Sequence, residues 1–507
     1  MIRVQGCDSH SSRWAELNEI TQRLANCDPT IWGHEAQAEA SIRLGWVSLP
    51  ESSRDLLPQL DALSAWSRER GHSHFILCGM GGSSLAPEVI AATYGKKLIV
   101  LDSTEPNQVW SARQTDLKSS CIIIGSKSGS TIETASHKSF FIQALHDEGL
   151  EPADHMVIVT DPGSPLDKSS REEGLRVINA NPNVGGRFSA LSAFGLVPAA
   201  LIGVDVSLLL DDAYDAAREF VGEDSSVVKM ASYLAQFRYV AFSDAGSACI
   251  GLSDWIEQLI AESTGKNGVG VLPVVVAESD SNSIPTITFT EAGKLAVVGP
   301  LGAQFIFWEW VTALLGYLLN VDPFNQPNVT ESKERTLEIL QGWAAREELA
   351  PTFEDSHFAI YSDFKASTPS DFLRRFLTNV NEDGYIALMA YLDRIGESEL
   401  AAIRKNIADY SGRPTTFGWG PRFLHSTGQF HKGGPLVGSF VQITVESSRQ
   451  LPIPQQGIGF ERLVMAQALG DGLALRSRNL PFMRIHIKDR KTGLPKFIQL
   501  VRELATS

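Results

Sequence analysis

The chain has 507 residues, more than one hydrophobic core usually supports, and this length predicts two to four domains. Its composition, 43% hydrophobic and 20% charged, is typical of a globular protein and excludes fibrous and disordered classes. The net charge of −15 opposes binding to nucleic acid and to anionic lipid, so we expect neither nucleic-acid nor membrane partners.

In chain order, the first region is predicted to be a helical arm, residues 1–70. Apolar positions recur with helical spacing from Trp14 onward, and Pro29, Pro50 and Pro58 divide the stretch into short helices. The N-terminus lacks the basic start and apolar segment of a secretory signal, so we expect a cytoplasmic protein.

Next, short apolar segments alternate with longer segments of helical period. We predict strands at 74–78, 98–101, 121–124 and 156–159, which favours a parallel sheet covered by helices on both faces. The first domain is placed at 71–205, and a second strand and helix series at 206–350.

A third domain is predicted over 351–507, with strands at 358–361, 385–391 and 440–445 and a helix near 371–377. The fold class is therefore α/β: two domains with parallel sheets flanked by helices, plus a smaller C-terminal α/β or α+β domain.

Two features bear on the cellular setting. The five cysteines lack metal or disulfide spacing, and we expect them to be reduced core residues. The apolar stretch 295–319 has the length of a membrane span, but Gln304 and Glu309 interrupt it, so a buried helix is favoured.

Two loops are candidates for binding a phosphate group. The segment 79–87 follows a predicted strand with three glycines and two serines and opens a helix, while 125–131 is a hydroxyl-rich loop in the same context. Exposed amides at a helix start suit an anion, and neighbouring strand ends in an α/β sheet form ligand sites. The plainer alternatives are a tight turn for the first loop and a capping box between Ser130 and Glu133 for the second.

Several motifs carry a resemblance to a known family. The segments 79–87, 126–133, 185–189, 262–266 and 322–327 resemble, in this order, the motifs of phosphoglucose isomerases built on two sugar-isomerase (SIS) domains. The segments 420–429 and 431–435 resemble the isomerase portion of bifunctional transaldolase/phosphoglucose isomerase proteins. We expect the chain to correspond to that isomerase portion alone.

The resemblance implies a site for glucose 6-phosphate and fructose 6-phosphate, which the family interconverts in glycolysis and gluconeogenesis. It implies four catalytic residues: Glu262 as proton-transfer base, Arg187, His425 and Lys333, the last two for ring opening. The substrate-binding residues that it implies are Gly82, Ser83, Ser126, Lys127, Ser128, Thr131, Gln258 and Gln326.

The chemistry explains these residue types. One carboxylate can remove a proton beside a carbonyl and return it to the neighbouring carbon through a cis-enediolate. A permanent positive charge such as Arg187 suits the developing oxyanion, although a structural ion pair is the plainer role for this residue. A solvated charge is the plainer role for Glu262.

The histidine assignment is less direct, because the segment carrying His425 follows the Glu and Lys motifs, whereas in most of the family it lies between them. His431 is therefore a competing candidate. We expect no metal site and no cofactor, since the enediolate mechanism needs neither.

Partners and substrate range stay partly open. A small-molecule sugar phosphate is the expected partner, and a homodimer is possible. The sequence leaves open a dual glucose and mannose phosphate isomerase, and less favourably a phosphosugar-binding regulatory protein, which could lose Glu262, Lys333 and His425.

Overall fold

The computed structural model describes residues 1–7, 13–277, 284–343 and 350–506. Three sheets follow one another along the chain, preceded by a helical arm. The predicted α/β class with parallel-sheet cores is confirmed. The domain boundaries at 70, 205 and 350 stay a prediction.

The N-terminal arm is helical, as its spacing predicts, but it begins with a strand. Its elements are strand β1 (Arg3–Gln5) and helices α1 (Trp14–Ala25), α2 (His34–Arg43), α3 (Leu49–Ser52) and α4 (Leu57–Glu69). Pro50 and Pro58 lie in the first turns of α3 and α4, where a missing backbone N–H is harmless. Between helices, the Trp46 ring stacks on Phe188, with centroids 5.1 Å apart, so the arm is packed into the core.

The first sheet is wholly parallel and carries the two predicted loops. Its strands are β2 (His74–Gly79), β3 (Ile99–Leu101), β4 (Ser120–Gly125), β5 (Met156–Thr160) and β6 (Arg176–Asn179), in the order β3-β2-β4-β5-β6. Its helices are α5 (Leu85–Thr93), α6 (Pro106–Arg113), α7 (Ile132–Asp147), α8 (Pro152–His155), α9 (Pro165–Glu172) and α10 (Ala193–Leu201). The strand order reverses between β2 and β4, where ligands bind in such sheets.

The second sheet has the order β1-β10-β9-β7-β8, and β1 pairs antiparallel with β10 while the other pairs are parallel. Its later strands are β7 (Tyr239–Ser243), β8 (Leu272–Val275), β9 (Thr286–Thr288) and β10 (Ala296–Val298). Its helices are α11 (Val206–Ala217), α12 (Ser226–Leu234), α13 (Leu252–Thr264), α14 (Leu301–Leu318) and α15 (Pro327–Gln341).

Helix α14 covers most of the apolar stretch 295–319, and nearly all of it is buried, as expected. The Gln304 side chain donates to Val297 O at 2.8 Å and accepts from Trp308 Nε1 at 3.0 Å, which satisfies the amide inside the core. Within the described ranges, no helix is long and apolar enough to span a membrane.

The third sheet is mixed and has six strands, against five in each of the others. Its strands are β11 (Phe353–Glu354), β12 (Phe358–Ser362), β13 (Tyr385–Tyr391), β14 (Thr415–Trp419), β15 (Gly438–Val445) and β16 (Phe482–Ile487). Its helices are α16 (Pro369–Thr378), α17 (Ile403–Ser411), α18 (Gly428–Gly433), α19 (Phe460–Arg476) and α20 (Arg490–Thr506). The order is β11-β12-β16-β15-β13-β14. Strands β13 to β16 are parallel to one another, whereas β12 pairs antiparallel with β16 and β11 pairs antiparallel with β12.

The third sheet contributes to two cores. One face packs on its own helices in a cluster that includes Phe358 and Phe372. The other face, which includes Tyr385, packs against Ala261 and Leu272 of the second sheet region. This contact brings the loops after β13 and β14 next to the first two sheets.

One expectation about the core is wrong. Four cysteines are buried and unpaired, but Cys27 is exposed. It lies in the turn after α1 with a φ of 53°, a left-handed backbone conformation that does not continue the buried face of the helix.

Candidate active site

The site lies at the carboxyl ends of β2 and β4, where Gly79 and Gly125 are paired. A 3-10 helix, Gly81–Ser83, leaves β2, and the loop 126–131 leaves β4. A Cβ at Gly82 would lie 1.9 Å from Gly186 O, so only glycine allows the first loop to approach the loop that carries Arg187.

A cavity of about 420 Å³ opens between these loops, a volume that fits a small organic ligand. Eleven of the twelve predicted site residues line it. They are Gly82, Ser83, Ser126, Lys127, Ser128, Thr131, Arg187, Gln258, Glu262, Gln326 and His425. The exception is Lys333.

The hydroxyl-rich loop is ordered by its own side chains. Ser126 Oγ accepts a hydrogen bond from Gly129 N at 3.1 Å, and the Ser128 and Ser130 hydroxyls are 2.7 Å apart. Helix α7 begins at Ile132, with Thr131 as its N-cap and no side-chain cap. The capping box between Ser130 and Glu133 is therefore wrong, because the helix starts too late for Ser130 to cap it.

Two cations lie at this end of the cavity. Lys127 Nζ contacts Asp161 Oδ2 at 2.5 Å and donates to Pro182 O at 3.1 Å. Burial lowers the pKa of Lys127, and Asp161 opposes that shift. Arg43, at the end of α2, donates to the same Pro182 carbonyl at 3.3 Å and pairs with Glu39 at 2.7 Å.

Sequence analysis missed Arg43, because it lies in the arm, far along the chain from every motif. A basic residue in the last turn of a helix is ordinarily a surface charge. Only the tertiary contact with Pro182 O distinguishes it.

Glu262 lies in the last turn of α13, and both of its carboxylate oxygens are held. Arg187 Nη1 donates to Oε1 at 2.9 Å, and Gln258 Nε2 donates to Oε2 at 3.1 Å. The side chains of Arg187 and Glu262 are only 5% and 9% exposed, which excludes the solvated-charge alternative for Glu262. The Gln258 Oε1 atom is buried and has no hydrogen-bond partner among the described residues, so an acceptor is left for a ligand.

Hydrogen bonds from all three guanidinium nitrogens hold Arg187 in place. Besides Glu262 it donates to Ser263 Oγ at 3.0 Å, Gln326 Oε1 at 2.8 Å and the Pro323 and Asn325 carbonyls at 2.8 and 3.3 Å. The ion-pair alternative for Arg187 is thus present, but its partner is Glu262 itself.

His425 reaches the cavity within the same chain. It ends the 3-10 helix Arg422–His425 after β14, and its backbone oxygen accepts from Gln258 Nε2 at 2.7 Å. Its ring Nε2 lies 3.0 Å from Glu133 Oε1. Burial would raise the pKa of Glu133, but the charge of His425 and its hydrogen bond outweigh burial and, with Lys333 nearby, lower that pKa to about 2.

Glu133 is a second residue that sequence analysis misassigned, since it appeared only as a capping partner. Its pairing with His425 spans 292 residues of chain, which no local pattern indicates. Gln467 Nε2 donates to the same oxygen at 2.7 Å.

Lys333 lies outside the main cavity. It is exposed on α15 and lines a smaller neighbouring cavity of about 140 Å³, which shares Thr131 and His425 with the main one. His425 therefore lines both cavities, whereas Glu133 and Lys333 line only the smaller one.

His431 is placed elsewhere. It is 3% exposed on α18, and its ring centroid lies 5.2 Å from Phe440 and 5.9 Å from Tyr385. Burial holds the pKa of His431 well below its usual value, and neither ring nitrogen has a hydrogen-bond partner in the described chain. The cavity is not lined by His431.

The fold and the cleft define an α/β protein with a polar, ligand-sized site where the strand order of its first sheet reverses. Comparison with known proteins is more specific. Residues 64–293 match the family model described as phosphoglucose isomerase. The predicted resemblance to that family is thereby confirmed for this part of the chain, while the likeness of the C-terminal motifs to bifunctional proteins stays a prediction.

Curated relatives agree with this family match. The chain is 33% identical to a glucose-6-phosphate isomerase of Thermus thermophilus over 243 residues, covering 45% of this chain and 57% of that protein. It is 27% identical to the glucose-6-phosphate isomerase of Campylobacter jejuni over 296 residues, covering 52% of this chain and 71% of that protein. The chain thus spans little more than half the length of the Thermus relative.

Among solved structures, the chain shares the fold of a glucose-6-phosphate isomerase from Chlamydia trachomatis, with a TM-score of 0.53 and 17% identity. That likeness covers 66% of this chain and 86% of the other. Gln326, Lys333 and His425 lie beyond residue 293, so their places rest on the structure of this chain and not on the family match.

Proposed function

We propose that this chain is a glucose-6-phosphate isomerase, which interconverts glucose 6-phosphate and fructose 6-phosphate through a cis-enediolate. One observation carries the proposal: the Glu262 carboxylate, held by Arg187 and Gln258, lies in the same cavity as the hydroxyl-rich loops. The family match and the curated relatives support the same reaction.

The substrate phosphate binds at the end formed by Ser83, Ser126, Ser128 and Thr131. Thr131 is the N-cap of α7, a helix of 16 residues whose N-terminal end favours negative charge. Lys127 and Arg43 add positive charge beside the loop. Each is already paired with a carboxylate, so their contribution to phosphate binding is smaller than that of two unpaired cations.

The reacting carbons lie at the other end, against Glu262. The carboxylate removes the proton from C2 of the open-chain aldose and delivers it to C1, which needs only small movement of one group, while the proton of the C2 hydroxyl moves to the C1 oxygen. Arg187 stays charged at any working pH and cannot turn away, because its five N–H groups are held by protein acceptors; its fixed charge stabilises the enediolate oxygens. Gln258 holds the carboxylate and offers its free Oε1 to a sugar hydroxyl.

Ring opening precedes this step, since hexose phosphates exist mainly as closed rings. His425 moves a proton between the ring oxygen and the anomeric hydroxyl, with Glu133 holding the imidazole in place. Lys333 supports the pair from the neighbouring cavity through its charge. These side chains suffice for the chemistry, and we propose no cofactor.

We also propose a cytoplasmic location, in keeping with four buried unpaired cysteines. The net charge of −15 favours a small anion held in a local site over nucleic acid as partner. A homodimer stays a prediction of the sequence.

The test uses the purified full chain with glucose 6-phosphate, fructose 6-phosphate and mannose 6-phosphate, each assayed with and without chelator. The proposal expects interconversion of the first two, unaffected by chelator, with incorporation of solvent deuterium at C2. Turnover of mannose 6-phosphate at a comparable rate would extend the activity to a dual isomerase. Binding of all three without turnover would leave a sensor and contradict the proposal.

A further inference from the structure

A charge network joins the third sheet to the first beside the active site. Arg422 Nη2 donates to Glu88 Oε2 at 2.7 Å, and Arg422 Nη1 lies 2.9 Å from Asp102 Oδ2. Arg394 Nη1 lies 2.8 Å from Glu88 Oε1, and Arg394 Nε lies 3.2 Å from Asp102 Oδ1. Each guanidinium therefore contacts both carboxylates, and two positive charges balance two negative ones.

The four residues come from the ends of strands and from the phosphate-loop helix. Arg394 follows β13 and Arg422 follows β14, while Asp102 directly follows β3 and Glu88 lies in α5, the helix that the glycine-rich loop opens. The network thus joins the carboxyl end of the first sheet to the carboxyl end of the third sheet. Arg422 also begins the short 3-10 helix that ends at His425. The ion pairs of Arg422 therefore act on the segment that carries this histidine.

Burial makes the network hard to break. Asp102 is fully buried, and the two arginine side chains are each 13% exposed, whereas Glu88 is 29% exposed and lines a cavity of about 320 Å³. Burial would raise the pKa of Glu88, but the charges of Arg422 and Arg394 lower it to about 2. Removing one cation leaves two carboxylates sharing a single guanidinium, so the buried charge of Asp102 is only partly compensated, which is destabilising locally.

Two further acids face the network from α13. Asp254 and Glu257 line the same cavity as Glu88, Arg394 and Arg422. Burial raises the pKa of Glu257 well above its usual value, and the charge of Arg422 opposes that shift. Arg422 therefore contacts two carboxylates, Glu88 and Asp102, and shares a cavity with two further carboxyl groups from α13. Its position is fixed from the side of the first two sheets.

We infer that Arg422 is a positioning residue for the ring-opening step: its pairing with Glu88 and Asp102 holds the turn that places His425 over the cleft. This inference rests on the proposed function. It also accounts physically for the unusual chain order, because a histidine supplied by a separate sheet needs an anchor on the sheet that binds the phosphate. Glu133 and Gln258 hold the ring and the backbone oxygen of His425, and the arginine network holds the segment that precedes them.

The test compares Arg422→Lys with Arg490→Lys. Arg490 forms another ion pair between the third sheet region and the first, with Glu105 at 2.7 Å, but it lies far along the chain from His425. The matched variant therefore breaks a similar contact without touching the 420–427 segment. Glu88→Gln serves as a second variant on the other side of the network should Arg422→Lys fail to fold.

The first readout is kinetic. Arg422→Lys is expected to lower kcat on glucose 6-phosphate by about 10- to 100-fold, as a misplaced catalytic group does, with KM and competition by inorganic phosphate unchanged. In a His425→Asn background the same substitution should add little, whereas Arg490→Lys leaves kcat at the wild-type value in either background. Additive losses, or an unchanged kcat in Arg422→Lys and Glu88→Gln, overturn the inference.

The second readout does not depend on the role of His425. Hydrogen–deuterium exchange in the 420–427 segment should rise in Arg422→Lys and Glu88→Gln and stay unchanged in Arg490→Lys. Unchanged exchange in the two network variants refutes the positioning role even if His425 proves essential. Conversely, full activity of His425→Asn alone would refute the ring-opening role in the proposed function, and with it the catalytic part of this inference.

Discussion

Replacing Arg187 by Lys keeps the positive charge and removes the planar fork, so it separates charge from geometry. Arg187 makes five hydrogen bonds, to Glu262, Ser263, Gln326 and the carbonyls of Pro323 and Asn325. A lysine ammonium can remain near Glu262, but it cannot also reach Ser263 on one side and Pro323 O on the other.

At least two bonds to a charged group are then lost, at about 1.5 kcal/mol each, or about 3 kcal/mol of folding free energy. A lysine charge that is no longer held in one place should also lower kcat by about 10²- to 10³-fold, the usual size of the loss when preorganised stabilisation of a developing oxyanion is removed. KM should change little, because the phosphate end of the cavity is intact.

The assay measures kcat and KM at equal folded fraction, together with the free energy of unfolding by denaturant. Arg171→Lys is the control, since Arg171 pairs with Asp167 at 2.7 Å with its side chain 52% exposed, outside the cavity. An Arg187→Lys enzyme with normal stability and near-normal kcat would refute the reasoning, because it would show that the fan of hydrogen bonds neither stabilises the fold nor directs the charge.

Four other variants test the remaining parts of the site. Ser126→Ala with Thr131→Ala should weaken sugar-phosphate binding by about 1–3 kcal/mol in calorimetry, and unchanged affinity would place the phosphate elsewhere. Glu133→Gln should slow turnover of the closed-ring substrate. Because the folded pKa of Glu133 is lowered to about 2, its stabilising effect is complete above the unfolded value near 4.5 and is lost as pH falls towards 2. The stability gap between wild type and Glu133→Gln should therefore narrow from pH 6 to pH 3 in thermal unfolding; a constant gap would contradict the ion pair. His425→Asn should lose activity on cyclic glucose 6-phosphate while keeping C2 exchange on an open-chain analogue, whereas His431→Asn should mainly lower stability. The opposite ranking in kcat/KM would transfer the ring-opening role to His431.

Local patterns made much of the fold predictable. Strands β2, β4 and β5 are apolar, buried and flanked by Gly or Ser, which are strong local signals. Strand β6 has four residues and begins with Arg176, so its apolar run is too short to indicate a strand alone. Strand β1 exists only because it pairs with β10 nearly three hundred residues later, and local propensity does not carry that information.

The same distinction separates the parts of the site. Ser83, Ser126 and Glu262 sit in motifs whose neighbours in sequence are also neighbours in space, so the pattern indicated them. Arg43 and Glu133 act through contacts between distant segments. Lys333 is a similar case, because its motif spacing placed it among the site residues, while the packing of α15 places it in a neighbouring cavity that Glu133 also lines. Long-range packing determines whether such residues belong to the site, and a single sequence does not reveal that packing.

The most direct test of the account is solvent exchange at C2 in Glu262→Gln. The amide keeps the size of the carboxylate and a hydrogen-bonding oxygen for Arg187, but it has no useful proton affinity. The account predicts that isomerisation and deuterium incorporation at C2 of the sugar fall together by at least about 10²-fold while sugar-phosphate binding is retained. Deuterium incorporation at the wild-type rate in this variant would contradict it, because some other group would then be the base.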